Sequence, residues 1–278
     1  MAKQNSSLDV KDALASSEAF VLKRKKQIIG LVALLAVVIG GYWAYMKLVQ
    51  EPRNEKAQTQ ISTGLGFMSQ AQQMEGQFTQ IQAMPDSSLV QMLRAQGLLD
   101  SVPSDSTAIV VKEFRADQQK QLSTLYDKAL KGDGRFPGFV KIAEGNNGDA
   151  SNIATYLAGV CYYRAGKYKE AISFLSKYTT KGDNGISAVA LAALANSYAC
   201  DNQLDKAVEN FKKAANLADN EALSPMYLLE AGKLLEHQKK NAEAKAIYAE
   251  IKQKYPRYGL GQQGMLNTEI DKYLERVK

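Results

Sequence analysis

The chain has 278 residues, 45% of them hydrophobic, and a formal net charge of +6. Residues 1–27 hold six basic and three acidic side chains, whereas residues 51–278 hold 28 basic and 26 acidic ones. Because the larger part is nearly neutral, it lacks the basic surface of a nucleic-acid-binding domain, and we expect no nucleic-acid partner. With only six prolines and no alternating strand pattern, the sequence predicts an all-α fold.

Residues 28–49 are predicted to form a single transmembrane anchor, after a tail at residues 1–27. The run from Ile28 to Met46 is 19 residues without a charge, which is enough for a helix to cross a hydrocarbon core of ~30 Å. A cleaved signal peptide and a buried core helix are the alternatives, but no small-residue cleavage site follows the run. Three aromatic residues near its end suit a membrane interface: Tyr42, Trp43 and Tyr45.

The basic run KRKK at residues 23–26 favours an anchor whose preceding tail lies in the cytoplasm and whose following domain lies outside. Lys47, Arg53 and Lys56 follow the anchor and weaken this bias. Within the anchor, small residues spaced by four predict a face that packs against another transmembrane helix: Ala36, Gly40 and Ala44.

Residues 50–145 are predicted to be helical, with helices at about 51–76, 88–99, 106–130 and 136–143. We expect residues 58–131 to hide a degenerate helical repeat, with Ala129 as its second small residue and residues 80–120 as an insertion. An unrelated helical linker domain is the alternative.

Residues 146–257 contain the same spaced pattern three times. In each copy two small residues lie twelve positions apart: Gly159 and Ala171, Ala195 and Ala207, Gly232 and Ala244. The second members are 36 and 37 residues apart, a period typical of helical repeat arrays. Each copy predicts two antiparallel helices that cross at the small residues. The turn positions are Gly166, Asn202 and Lys239, and we expect the third turn to be altered because lysine disfavours a left-handed backbone.

These copies resemble the tetratricopeptide repeat (TPR), and chance spacing in an ordinary helical bundle is the alternative. The matching residues include Tyr162, Tyr168, Tyr198, Phe211, Tyr248 and Pro256. The resemblance implies a solenoid whose first helices line a concave groove for an extended peptide or a partner helix. Carried over by position, the groove residues are Tyr156, Val160, Tyr163, Arg164, Val189, Asn196, Ala199, Met226, Leu229 and Lys233. The alternative is that Tyr156 and Met226 only pack between repeats.

The sequence predicts no enzyme, and no metal, cofactor or small-molecule substrate. His237 is the only histidine, and Cys161 and Cys200 fit no zinc spacing. A disulfide between these cysteines would need demanding geometry, and two small apolar helix residues are the alternative. The glycine pattern GLGQQG at residues 259–264 has no preceding strand, so it is not a dinucleotide fingerprint.

Residues 258–278 are predicted to form a capping helix that covers the last repeat. Its apolar face would be Leu266, Ile270, Tyr273 and Val277.

The whole layout resembles the bacterial translocon-associated proteins of the YfgM type. The segment EPRNEKAQ after the anchor and the repeat YLAGVCYYRAGKYKEAISFL carry this resemblance. It implies an inner-membrane, single-pass scaffold with a periplasmic repeat domain. Such a protein lies beside the SecYEG channel, pairs with a membrane-anchored chaperone of the PpiD type and assists the handover of exported proteins. The alternatives are a scaffold of another envelope-assembly or secretion machine, or a cytosol-facing chaperone adaptor.

Overall fold

A computed structural model describes residues 24–99, 103, 106–145, 148–181, 185–258 and 268–278. Every regular element in these ranges is helical, which confirms the all-α prediction. The helices are α1 (Lys25–Tyr45), a π-helical turn (Met46–Gln50), α2 (Glu51–Ala83), α3 (Asp86–Ala95), α4 (Thr107–Lys131), α5 (Phe139–Glu144), α6 (Asp149–Arg164), α7 (Tyr168–Leu175), α8 (Ile186–Cys200), α9 (Leu204–Ala218), α10 (Leu223–His237), α11 (Asn241–Lys254) and α12 (Thr268–Arg276). The chain divides into two compact units, Met1–Arg53 and Asn54–Lys278.

The first unit contains α1, which begins the apolar helical stretch of the chain. An 18-residue window in the stretch Ile29–Ala83 has a mean hydropathy of 2.0, and none of that window is buried. Within the described residues, this is the one helical stretch long and apolar enough to cross a membrane. On the predicted packing face, Ala36 and Gly40 are exposed and Ala44 is half-buried. Residues 1–23 of the tail lie outside the described residues.

The second unit contains three helix pairs, whose first helices are α6, α8 and α10 and whose second helices are α7, α9 and α11. Small residues stand where the two helices of a pair cross. A Cβ atom on Gly159 would lie 2.4 Å from Cγ of Leu175, and one on Gly232 would lie 2.3 Å from Cε1 of Tyr248. Because these contacts leave no room for a side chain, the spacing of small residues sets how closely each pair packs.

The three turns within the pairs have the same backbone conformation. Gly166, Asn202 and Lys239 have positive φ angles of 73°, 59° and 60°. In each turn the next residue donates a backbone hydrogen bond to the carbonyl five positions back: Lys167 to Tyr162 at 2.9 Å, Gln203 to Tyr198 at 2.8 Å and Lys240 to Leu235 at 2.9 Å. The expectation of an altered third turn is therefore wrong. Hydrogen bonds to the last helical carbonyls offset the cost of placing lysine in the left-handed region.

Two large apolar clusters fill the second unit. The first lies between α2, α4, α5 and α6 and includes Met68, Tyr126, Phe139 and Leu157. The second lies between α8, α9, α10, α11 and α12 and includes Phe211, Leu228, Leu235, Tyr248 and Ile251. A smaller cluster lies between α7 and α8 and consists of Ala171, Leu175 and Leu194. Buried apolar contacts therefore continue from the first helix pair to the second.

The helices of residues 50–145 differ in their ends from the prediction. Helix α2 continues to Ala83, and α3 begins at Asp86, directly after Pro85, and ends at Ala95. Helix α3 packs its apolar side against the neighbouring ends of α2 and α4. That contact forms a separate small core of Leu89, Leu93, Leu99 and Val111. Local sequence does not show where such a contact stops a helix.

A tight loop joins α4 to α5. The Asp133 carboxylate accepts hydrogen bonds from the backbone N–H groups of Phe136 at 2.9 Å and Arg135 at 3.0 Å, and these bonds lower the pKa of Asp133 below its usual range. The loop directs Phe136 and Phe139 into the core, where their rings fill the space beside Gly64.

Helix α12 packs on the last helix pair. Ile270 and Val277 are 0% and 3% exposed and lie in the same cluster as Tyr248 and Ile251. The predicted face residue Leu266 and the glycine pattern at 259–264 lie outside the described residues.

Candidate functional site

The first helix of the first pair, α6, carries four of the residues predicted to line a groove. Tyr156 is half-buried, and its ring centroid lies 6.1 Å from that of Tyr178 in an edge-on arrangement. Burial raises the pKa of the Tyr156 hydroxyl. Tyr163 packs on Tyr168 with 5.9 Å between ring centroids, and Val160 beside it is half-buried. The surface of α6 therefore carries aromatic side chains, which are partly covered by other side chains of the same protein.

Arg164, at the end of α6, is exposed but already has a partner. Its Nη1 atom lies 3.3 Å from a carboxylate oxygen of Glu75 on α2. A ligand that bound the Arg164 guanidinium would have to compete with the Glu75 carboxylate.

The first helix of the middle pair, α8, has no charged residue in the sequence ISAVALAALANSYAC. Val189 is 37% exposed and Ile186 is 48% exposed, while Asn196 and Ala199 are half-buried. Helix α8 therefore exposes apolar side chains and has no charged side chain of its own.

The three predicted residues on α10 have different environments. Met226 is 39% exposed and is open to a partner. Leu229 is 5% exposed and lies in the core with Phe211 and Leu235, so its side chain offers no open surface. Lys233 pairs with Glu230 at 2.8 Å and lies 5.9 Å from the ring centroid of Tyr273 on α12.

The prediction omitted Ile153, which precedes Gly159 by six residues just as Val189 precedes Ala195 and Met226 precedes Gly232. Ile153 is half-buried on α6. A search for the residue six positions before each small crossing residue would have found it.

The two cysteines are free thiols in different surroundings. Cys161 is fully buried, and burial raises the pKa of its thiol to about 12. Cys200 is exposed and lies beside the hydroxyl groups of Tyr163 and Tyr168. The disulfide considered from the sequence is not formed.

Among the described residues, no group of three or more His, Cys, Asp or Glu side chains is arranged to hold a metal ion. Several exposed acidic side chains form ion pairs with nearby lysines, for example Glu209 with Lys213 at 2.6 Å.

Comparison with known families gives a match to a helical repeat. A tetratricopeptide-repeat model matches residues 154–181 and 227–258, which are the first and third helix pairs. The chain carries tetratricopeptide repeats. The middle pair, α8 and α9, lies between the two matched segments and has the same turn conformation. The fold is thus an all-α solenoid of the TPR type, a scaffold that typically binds protein partners. No curated protein and no solved structure shows significant similarity to the chain.

Proposed function

We propose that this protein is a membrane-anchored, non-enzymatic scaffold that binds other proteins through its TPR unit. The observation that carries the proposal is the uncharged first helix α8, with Val189 37% exposed, at the centre of a repeat array. An apolar helix of membrane-spanning length precedes that array in the same chain. Tethering a binding surface to a membrane raises its effective concentration for partners in or near that membrane.

The binding surface would consist of exposed and half-buried residues on the first helices: Tyr156, Val160, Tyr163, Arg164, Val189, Asn196, Met226 and Lys233. Leu229 would support this surface from the core. The face of Ala36, Gly40 and Ala44 would contact a transmembrane helix of a partner, because small residues let such helices approach closely.

The partners we propose are the SecYEG channel and a PpiD-type membrane-anchored chaperone, with the TPR unit assisting the handover of exported proteins. The support is the likeness in layout to the YfgM type. The basic residues at 23–26 support an orientation with residues 1–27 in the cytoplasm and the repeats in the periplasm of a bacterial inner membrane.

Co-purification tests the partners. The full-length protein would be isolated from its native membrane in mild detergent, and bound proteins would be quantified by mass spectrometry. Enrichment of Sec channel subunits together with a periplasmic chaperone is the expected result. Enrichment of other envelope machinery without Sec subunits would show a scaffold of a different machine.

The native cysteines test the orientation without any engineering. Cys200 is exposed and Cys161 is buried, so a membrane-impermeant maleimide should label one site. Labelling in intact spheroplasts is expected if the repeats are periplasmic. Labelling only after the membrane is permeabilised would establish a cytosolic TPR unit and overturn the export assignment.

A further inference from the structure

Helix α2 carries almost no charge along most of its length. Residues 57–83 contain one charged side chain, Glu75, whereas 23% of the whole chain is charged, and 23% of these 27 residues would be about six. Glu75 is already engaged within the second unit, because it accepts a hydrogen bond from Tyr126 at 3.3 Å and pairs with Arg164 at 3.3 Å. The exposed side of a helix in a soluble domain is usually charged, so the uncharged surface of α2 calls for an explanation.

Glutamines replace charged residues on this surface and border a groove between α2 and α4. Residues 57–83 contain eight glutamines. The groove has a volume of about 480 Å³, and the half-buried side chains of Met74 and Leu125 also border it. We refer to four exposed glutamines along the groove as the glutamine face: Gln70, Gln73 and Gln77 of α2 and Gln121 of α4.

The core holds α2 in place behind the glutamine face. Met68 and Ala71 are 7% and 0% exposed and belong to the cluster that α2 shares with α4. A Cβ atom on Gly64 would lie 2.5 Å from Cε1 of Phe139. Because one side of α2 is tightly packed, its glutamines extend from a rigid support, and binding costs little backbone freedom.

The chemistry of the glutamine face is complementary to itself. A glutamine amide has two N–H donors and a carbonyl acceptor, so the amides of two such faces satisfy one another. In a twofold-symmetric interface the same patch is present on both copies, and a charged side chain near the axis would meet its own like charge. An uncharged face avoids this repulsion, and charged residues are depleted in the central part of protein interfaces.

Other classes of ligand fit the groove less well. Among the described residues that border it, Lys128 is the one with a charge and none is aromatic. Small-molecule sites are lined mainly by hydrophobic and aromatic side chains, and a single lysine is a weak site for a polyanion. Lys128 is exposed, and its flexible stem lets the ammonium group reach water at the edge of an interface.

We propose that the glutamine face joins two copies of this chain in a twofold-symmetric dimer. The amides of one copy donate to carbonyl oxygens of the other across the two grooves. The anchor brings both copies into one membrane at a raised effective concentration, which favours a polar interface that is weak between free proteins. The dimer goes beyond the proposed scaffold function and gives the scaffold two repeat arrays in one assembly.

Cross-linking of the full-length protein in mild detergent tests whether the two faces meet. Ser69 is exposed on α2 next to Gln70, so Ser69→Cys puts a thiol beside the glutamine face. Cys200→Ser removes the exposed native thiol, and Cys161 is buried. A flexible bismaleimide should convert most of the Ser69→Cys protein to a covalent dimer. Ser173→Cys, at an exposed position of α7, is the matched control and should stay monomeric on a denaturing gel. Equal yields of dimer from both proteins would overturn the proposal.

Charge substitutions show whether the partner is a second copy. Replacing Gln70, Gln73 and Gln77 together by glutamate puts like charges on both sides of the interface and should weaken the dimer by at least about tenfold. Replacing the same three residues by lysine should have the same effect. A one-to-one mixture of the glutamate and lysine proteins should restore the dimer, because each face then meets the opposite charge. Energy transfer between donor-labelled and acceptor-labelled copies, with the dyes on the exposed Cys200, measures the association.

A second triple variant controls for the added charge. Gln91→Glu, Gln96→Glu and Gln253→Glu change exposed side chains outside the glutamine face and give the same net charge. This protein should associate within about twofold of the wild type, since surface substitutions away from a contact have small effects. Circular dichroism of every variant confirms that the helices are retained.

Three outcomes would contradict the proposal. A wild-type protein that is monomeric in detergent and in lipid nanodiscs would exclude the dimer. Association that survives both triple substitutions at the glutamine face would place the contact elsewhere, for example in the anchor. Association that either triple substitution abolishes but the mixture does not restore would assign the face to a role other than pairing with its own copy.

Discussion

Gly159 and Leu175 meet where α6 crosses α7, and a Cβ atom on Gly159 would lie 2.4 Å from Cγ of Leu175. Gly159→Ala should therefore lower the free energy of unfolding by about 1–3 kcal/mol, because the added methyl group overpacks the crossing. Gly76→Ala is the matched control, since nothing lies within 4 Å of a Cβ there, and alanine should raise helix stability by up to about 1 kcal/mol. Urea unfolding monitored by circular dichroism in detergent measures both. A stabilised Gly159→Ala protein would show that the crossing has spare room.

Lys239 occupies a left-handed position with φ of 60°, where glycine is favoured over lysine. Lys239→Gly should raise the free energy of unfolding by about 1 kcal/mol, because it removes the steric cost of a side chain at positive φ. Gly166→Lys at the equivalent position, with φ of 73°, should have the opposite sign. The same urea titration measures both proteins, and a destabilised Lys239→Gly protein would mean that the lysine side chain contributes more than its backbone strain costs.

Tyr248 and Tyr126 each bury a hydroxyl group that bonds to a glutamate. Tyr248→Phe and Tyr126→Phe should each lower the free energy of unfolding by about 1–3 kcal/mol, since the hydrogen bond is to a charged group. The reverse change, Phe211→Tyr, should also destabilise, by about 1–3 kcal/mol, because Ala199 stands where the glutamate would be and offers no acceptor. Differential scanning calorimetry compares the three. A neutral Tyr126→Phe would show that the hydrogen bond of Tyr126 to Glu75 contributes no net stability.

The spacing of small residues was sufficient to predict the three helix pairs, because a close helix crossing tolerates only small side chains, as at Gly232 against Tyr248. The degenerate repeat expected at residues 58–131 stays a prediction, because helix α3 and the start of α4 interrupt any fixed period there. The hydrogen bond from Tyr126 to Glu75 joins α4 to α2 across 51 residues, a separation that no sequence period reveals.

The candidate surface stays a prediction, and the structure places one of its residues differently from what was expected. Leu229 was expected to line the groove, but it is 5% exposed, because a helix packed between neighbours buries most of its circumference and leaves a narrow strip open. Sequence position gives the face of a helix but not how far the adjoining helix covers it.

The two thiols should react at very different rates. Cys200 is exposed, whereas Cys161 is buried with the pKa of its thiol raised to about 12. Since the thiolate is the reactive form, iodoacetamide at pH 8 should modify Cys200 while leaving Cys161 intact in the folded protein. Tryptic peptides analysed by mass spectrometry measure each site, and labelling in urea is the control in which both react. Equal modification in the folded state would show that the first core opens readily around Cys161.

Trp43 is the only tryptophan in the chain, so its fluorescence reports one position. The Lys47 ammonium lies 5.8 Å from the Trp43 ring centroid, and a lysine on an aromatic ring suits the boundary between hydrocarbon and headgroups. In nanodiscs made with brominated lipids, a bromine near the headgroups should quench Trp43 more strongly than a bromine near the chain ends. The matched variant is Trp43→Phe with Val37→Trp, which moves the fluorophore toward the middle of α1 and should reverse the order of quenching. If neither position is quenched by any brominated lipid, α1 is not in the bilayer and the anchor assignment fails.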